Sequence, residues 1–145
     1  FTFTPDLAKA FVGVLGNDKT FGEAYHVCNE ERTRWEDLYL AFGRVLDCQV
    51  EIVHISSELL VEANPELFSH LFFEKTYPGL FDNAKIRSVL PDFSCAMGLL
   101  DGVTMMVDWF EREANRVDPE KDALEDRLGE LHSRWKTEMK ALAEQ

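Results

Sequence analysis

Three short segments of strand-like composition interrupt a mostly helical pattern, and they constrain the fold more than any other feature. Residues 24–28, 50–55 and 80–82 contain the β-branched and aromatic residues that strands favour. Two or three strands of this length cannot form an independent sheet with both faces covered. The pattern therefore predicts an α/β fold, mostly helical with two or three short strands, some of which pair with strands outside this chain.

Helical periodicity accounts for most of the remaining sequence. The predicted helices cover residues 5–15, 33–46, 56–73 with a break at Pro65, 83–90 and 94–110. Thr33 and Glu36 have capping-box spacing, and Asp82 or Asn83 is expected to cap the helix that ends at residue 90.

A last amphipathic helix is predicted to begin at Asp118-Pro119. Its apolar residues recur every three or four positions and are Leu124, Leu128, Leu131, Trp135, Met139 and Leu142. The charged face of this helix is expected to be solvated, and the apolar stripe opposite it is a candidate surface for packing on a partner subunit.

The charge and composition exclude several classes of protein. The formal net charge is −12, from 27 acidic and 15 basic side chains, which repels nucleic acid and anionic membranes. No apolar run approaches the roughly 20 residues that cross a bilayer. A hydrophobic content of 46% with 12% aromatic residues indicates a folded body and not a disordered acidic tail.

Three cysteines, Cys28, Cys48 and Cys95, are odd in number and widely spaced. They fit reduced thiols in a cytoplasmic protein better than a disulfide framework. None has a His and an acid at a spacing that indicates a nucleophile. His26 and Cys28 would share one face of a strand, but without two further ligands nearby no metal site is predicted.

Four stretches of the sequence resemble, in order, segments of one enzyme family. They are Phe1 to Ala10 with Asp6-Leu7-Ala8, Gly22-Glu23-Ala24-Tyr25-His26-Val27-Cys28-Asn29, Phe81-Asp82-Asn83-Ala84-Lys85-Ile86 with Pro91-Asp92-Phe93, and Leu99-Leu100-Asp101-Gly102-Val103 to Phe110. Their order and spacing resemble the C-terminal half of the extended short-chain dehydrogenase/reductases, the NAD-dependent nucleotide-sugar epimerases and dehydratases. The resemblance covers roughly residues 1–112 and leaves residues 113–145 as a C-terminal amphipathic helix extension.

This resemblance implies the substrate-binding C-terminal part of a Rossmann-type epimerase/dehydratase that is inactive alone. The family's N-terminal half carries a glycine-rich cofactor turn and a catalytic Tyr-x-x-x-Lys pair. Neither motif occurs in this sequence, so we expect no catalytic residue here. NAD or NADP is expected to bind the N-terminal half of the parent enzyme and not this chain alone. Since the chain starts at Phe1 without an initiator Met, a preceding segment is expected.

The candidate substrate-binding residues are cations and histidines in or beside loops. Lys75, Lys85 and Arg87 are the cations expected to meet a phosphate, because the Arg that the family often places near residues 72–75 is absent. His54 and His70 are candidates to hydrogen-bond a sugar hydroxyl of a nucleotide-sugar substrate. Ordinary solvated or half-buried side chains remain the alternative for all five.

A second class of function stays open on the sequence. The chain is alternatively a stand-alone acidic protein-interaction module that kept this fold and binds a protein through strand edges and the terminal helix. Under either hypothesis we expect a homo-oligomer, because strands without sheet neighbours and an apolar helical stripe favour pairing.

The isolated chain is predicted not to bind NAD or NADP tightly, because it carries neither the glycine-rich turn nor the Tyr-x-x-x-Lys pair. Calorimetric titration of the chain with each dinucleotide measures this. Saturable binding in the low micromolar range would contradict the placement of the cofactor site in another segment.

Overall fold

The structure is a computed structural model that describes residues 1–75, 77–114 and 118–144. Helices account for all the regular secondary structure of these residues. They are α1 (Thr4–Val14), α2 (Trp35–Val45), α3 (Ser57–Ala63), α4 (Pro65–His70), α5 (Ala84–Val89), α6 (Leu99–Trp109) and α7 (Pro119–Ala143). A 3₁₀ turn covers Asp18–Thr20, and single π-helical turns follow α4 at Leu71–Lys75 and α6 at Phe110–Ala114.

The chain divides into two compact units. Unit 1 consists of Phe1–Val50 and Gly79–Glu113, and unit 2 consists of Glu51–Pro78 and Ala114–Gln145. Unit 1 therefore contains α1, α2, α5 and α6, and unit 2 contains α3, α4 and α7.

The predicted α/β fold is wrong, because the described residues contain no strand. Residues 24–28, 50–55 and 80–82 are irregular. A strand forms only where a neighbouring strand supplies partners for its backbone N–H and C=O groups. At Cys28 those partners come from a side chain, the carboxamide of Asn83. Composition alone favoured strands, but it could not supply the neighbour that a strand needs.

Two predicted helix starts are confirmed. Pro65 begins α4, and the side chain of Asn64 accepts a hydrogen bond from the Leu67 N–H at 3.1 Å, which produces the expected break after α3. Pro119 begins α7, and the Asp118 carboxylate accepts from two backbone N–H groups of the first turn. In both cases a capping side chain precedes a proline, which needs no hydrogen bond at the first helical position.

Two other helix starts differ from the prediction. The capping box of Thr33 and Glu36 is wrong, because α2 begins at Trp35 and the Asp37 carboxylate accepts from the Arg34 N–H at 2.7 Å. The helix predicted from residue 94 begins five residues later, at the start of α6. In the segment before α6, the backbone instead forms hydrogen bonds with side chains elsewhere in unit 1.

The apolar core of unit 1 lies where α1, α5 and the segment after α5 meet. Ala10 of α1, Ile86 of α5 and Phe93 are buried together. The partly buried residues packed on this cluster are Val14, Tyr25, Val27, Leu90 and Cys95. The irregular segment that contains Tyr25 and Val27 is therefore anchored on the core by its apolar side chains.

A buried carboxylate joins α1 to the segment before α6. Asp6 accepts hydrogen bonds from the Met97 N–H and from the Lys9 ammonium, each at 2.8 Å. Burial alone would raise the pKa of Asp6, but the bonds from Lys9 and from the backbone N–H groups of Met97 and Ala96 together lower that pKa below its usual value. Asp6 is therefore ionised at neutral pH and fixes residue 97 against α1.

A close approach of two segments requires a glycine in α6. Gly102 and Phe3 are both buried, and a Cβ atom at position 102 would overlap the Phe3 ring. α6 also packs on α2. Position 102 thus sets how closely α6 approaches the N-terminal segment.

α7 is the longest helix, with 25 residues, and none of them is buried. Its apolar positions alternate with many charged ones. None of the described helices combines the length and the apolar character that crossing a membrane requires.

Gly102→Ala is predicted to lower the free energy of unfolding of unit 1 by about 1–3 kcal/mol, because the Phe3 ring must move to admit the methyl group. The matched control is Gly129→Ala in α7, where a Cβ atom meets nothing within 4 Å. That control is predicted to stabilise α7 by about 0.5–1 kcal/mol through helix propensity. Urea unfolding followed by circular dichroism measures both, and an unchanged Gly102→Ala variant would show that the ring does not pack on α6.

Candidate functional site

Unit 1 contains a cleft of about 640 Å³ between two irregular segments. One wall is the segment that leads into α2, and the other is the segment that leads into α5. The lining residues are 27–33, 79–82, Phe1, Thr2, Ala84 and Arg87. The cleft therefore lies between two of the stretches on which the family resemblance was based.

The side chain of Asn83 connects the two walls of the cleft. Asn83 is only 1% exposed, and its amide oxygen accepts from the Cys28 N–H at 3.0 Å while its amide nitrogen donates to the Cys28 carbonyl at 2.6 Å. Among side chains, a carboxamide provides both the acceptor and the donor that one backbone residue needs. These two hydrogen bonds to the backbone replace those of the neighbouring strand that Cys28 lacks.

Asp82 or Asn83 was the predicted cap of α5, and the two residues have different roles in the structure. Asn83 occupies the cap position of α5 but makes no capping bond with its side chain. The neighbouring Asp82 carboxylate accepts from the Ala84 N–H instead. Because Asp82 serves the start of α5, the Asn83 carboxamide is available to bind the opposite wall.

The Cys28 thiol is part of the wall and is not set up as a nucleophile. Its Sγ lies 3.3 Å from the Phe81 carbonyl oxygen and 3.3 Å from the Asn83 amide oxygen. Burial, and then the carboxylates of Glu30 and Asp82, raise the pKa of this thiol. Cys28 therefore remains a neutral thiol at neutral pH, whereas a nucleophilic cysteine needs a lowered pKa.

Asn29 fixes the same wall on its other side. Its backbone N–H donates to the Thr2 hydroxyl at 3.0 Å, and its side-chain amide nitrogen donates to the Met97 carbonyl at 2.8 Å. Its amide oxygen accepts from the Glu31 N–H at 2.8 Å. The backbone of residues 28–31 is therefore held by side chains at both ends.

The charged groups of the cleft are of both signs. Arg87 of α5 forms an ion pair with Glu30 across the cleft, and the exposed Arg32 also lines it. Glu31 and Asp82 add further carboxylates. Two guanidinium groups beside three carboxylates suit a ligand that carries both an anionic group and hydroxyl groups.

The two candidate cations of α5 have different surroundings. Arg87 lines the cleft, as described. Lys85 does not line it: its ammonium bonds the Glu23 carboxylate at 2.7 Å and lies 5.1 Å from the centre of the Tyr25 ring. The two residues therefore form a matched pair on one short helix, with only Arg87 facing the cleft.

The other three candidates belong to unit 2. His54 lies in the irregular segment before α3, His70 is the last residue of α4, and Lys75 ends the π-helical turn that follows. All three side chains are exposed. Their proposed contacts with substrate stay predictions.

Several residues of the cleft were not selected from the sequence. Asn83 and Asn29 build the wall, and Glu30 and Arg32 supply charges. One signal was available, since an asparagine beside an apolar segment can bond that segment's backbone. The sequence offered no means of pairing residue 83 with residue 28.

The described residues contain no group of three or more His, Cys, Asp or Glu side chains placed to hold a metal ion. His26, weighed earlier as a ligand beside Cys28, stacks on the Phe81 ring with centroids 4.8 Å apart. Its ring therefore takes part in packing.

Comparisons of the chain with protein-family models, curated proteins and solved structures found no match.

Asn83→Ala is predicted to lower the free energy of unfolding of unit 1 by about 1–3 kcal/mol, because it removes the partners of the part-buried N–H and C=O of Cys28. Asn83→Asp should also destabilise, since a carboxylate cannot donate to the Cys28 carbonyl and would lie near Glu30.

Asn17→Ala is the control, because it removes one exposed bond, from the Lys19 N–H at 3.1 Å. Its predicted cost is below about 1 kcal/mol. Urea unfolding measures all three variants. Equal losses for Asn83→Ala and Asn17→Ala would show that the Asn83 carboxamide does not hold the walls together.

Proposed function

We propose that this chain is the substrate-binding portion of an NAD(P)-dependent nucleotide-sugar epimerase/dehydratase-like enzyme, and that it is inactive without a nucleotide-binding part. The observation that supports this best is the cleft of about 640 Å³ with Arg87 and Arg32 beside carboxylates. Its volume falls in the range of small-molecule sites, about 300–1,000 Å³. Its walls come from two stretches that resemble the family.

The charges of the cleft suit a sugar linked to phosphate. Guanidinium groups bind phosphate oxygens through two parallel N–H···O hydrogen bonds, which is the proposed role of Arg87 and Arg32. Carboxylates accept hydrogen bonds from sugar hydroxyls, which is the proposed role of Glu31 and Asp82. A phosphate bound to Arg87 would compete with its present partner, Glu30.

We infer that the dinucleotide cofactor binds another part of the enzyme. The sequence has no glycine-rich turn for a pyrophosphate and no Tyr-x-x-x-Lys pair. The proposal therefore limits this chain to binding and orienting the substrate, while another part of the enzyme supplies the reactive groups. All three cysteines are free thiols, which supports the cytoplasmic location expected from their spacing.

The second candidate function is an acidic protein-interaction module, expected to bind through strand edges and the terminal helix. The described residues contain no strand, so its support comes from exposed apolar residues on helices, among them those at the C-terminal end of α1. Phe11, Val12 and Leu15 are largely exposed, and a surface of this kind is typical of a protein contact. Under the first proposal the nucleotide-binding part covers it. Under the second a separate protein does, and the cleft has no ligand.

Arg87→Gln is predicted to weaken binding of UDP-glucose, the probe for a nucleotide sugar, about tenfold or more, because a charge-assisted bond to phosphate is lost. Lys85→Gln is the matched control and should change the affinity less than about twofold, since Lys85 does not line the cleft. Chemical-shift titration of the chain measures both, because it detects the weak, millimolar binding expected when the rest of the enzyme is missing.

The positions of the shifted resonances are a second readout. Under the proposal they cluster at residues 27–33 and 79–87. No saturable shifts with UDP-glucose, or equal losses for the two variants, would contradict the substrate-binding role and favour the interaction module.

A further inference from the structure

The apolar stripe of α7, defined as Leu124, Leu128, Leu131, Trp135, Met139 and Leu142, is exposed along most of its length. Leu131 is 48% exposed, Trp135 54%, Met139 50% and Leu142 66%. These residues recur at the three- and four-residue steps of a helix that packs on another helix. Side chains of this size in water favour a partner that covers them.

The sequence of α7 indicates what that partner is. The positions Lys121, Leu124, Leu128, Leu131, Trp135 and Glu138 are separated by three, four, three, four and three residues, which is the alternation of the two seam positions of a coiled coil. This spacing reads the same in both directions. Two copies of α7 that run antiparallel therefore match each other residue for residue.

The charges at the two ends of this seam select the orientation. In the antiparallel register that places Leu128 opposite Leu131 of the partner subunit, Lys121 faces Glu138 of the partner subunit, and Leu124 faces Trp135 of the partner subunit. A parallel pair in register would place Lys121 against its own copy and Glu138 against its own copy. Like charges facing each other are unfavourable, and antiparallel helix dipoles are favourable.

One ion pair within α7 and one pair of like charges across the seam bear on this pairing. Lys121 lies 3.7 Å from the Glu125 carboxylate of its own helix, with both side chains about half exposed. An exposed pair of this kind contributes little and can be exchanged for the partner's acid. The same register brings Arg127 toward Arg134 of the partner subunit on one flank, which is a repulsive pair. Glu130 lies three residues after Arg127 and four before Arg134 on each helix, so its carboxylate offsets part of that repulsion.

We propose that α7 is a self-association element that pairs antiparallel with α7 of a second copy of this chain. Leu128 lies opposite Leu131 of the partner subunit at the centre of the seam, and Lys121 lies opposite Glu138 of the partner subunit at each end. This surface lies in unit 2 and does not depend on the cleft or its ligand. The alternatives, a different protein or no partner at all, are outcomes of the test below.

Sedimentation equilibrium of the full chain is the first measurement, and a dimer is expected at micromolar concentrations. Leu131→Glu should weaken the dimer about a hundredfold, because it places a charge at the centre of the seam. Ser133→Glu, on the opposite side of α7, should leave the dimer unchanged. Circular dichroism checks that both variants keep their helices. A monomer at every concentration, or a dimer insensitive to Leu131→Glu, would overturn the proposal.

Charge exchange tests the orientation and does not depend on a core substitution. Lys121→Glu and Glu138→Lys should each weaken the dimer about tenfold, since each places like charges opposite one another. The double variant should restore the original affinity. A parallel dimer keeps like charges facing in all four proteins, so four equal affinities would overturn the antiparallel arrangement, as would a double variant weaker than both single ones.

Discussion

The two hydrogen bonds between the Asn83 carboxamide and the backbone of Cys28 are the interaction on which the candidate site depends. They join residues 55 positions apart in the sequence and give the segment around Cys28 the backbone partners that a sheet would otherwise supply. The bonds of Asn29 then fix the following residues, and α5 begins directly after Asn83, which brings Arg87 to the same cleft. One buried amide thereby sets the distance between the two walls.

The helices could largely be predicted from the sequence, because their signals are local. Apolar periodicity located them, and Asn64 and Asp118 marked two starts through caps that act within three residues. The strands were predicted wrongly for the opposite reason. β-branched and aromatic composition fits an extended, half-buried segment, but pairing is a property of two segments, and here an amide side chain replaced the second one.

The candidate site could be predicted only in part, since single residues are visible in a sequence and their juxtaposition is not. Arg87 was selected as a cation near a loop, and it lines the cleft. Lys85 was selected by the same reasoning, yet its bond to Glu23 holds it outside the cleft lining. Two cations on one turn of helix thus differ in whether they line the cleft, because each is held by a carboxylate about 60 positions away in the sequence.

The pKa shifts resolved in unit 1 all favour the protonation state that each group already has at neutral pH. Glu23 and Asp6 have a lowered pKa, while Lys85, Cys28 and Cys95 have a raised pKa. Every one of these shifts moves the pKa of the group further from pH 7. General acids and bases need the reverse, a pKa close to the working pH, so that a proton is gained and lost within one turnover. The contacts of unit 1 therefore hold each of these groups in a single protonation state at neutral pH. Under the proposed function, this keeps the charges and hydrogen-bond donors around the cleft fixed while a substrate is bound.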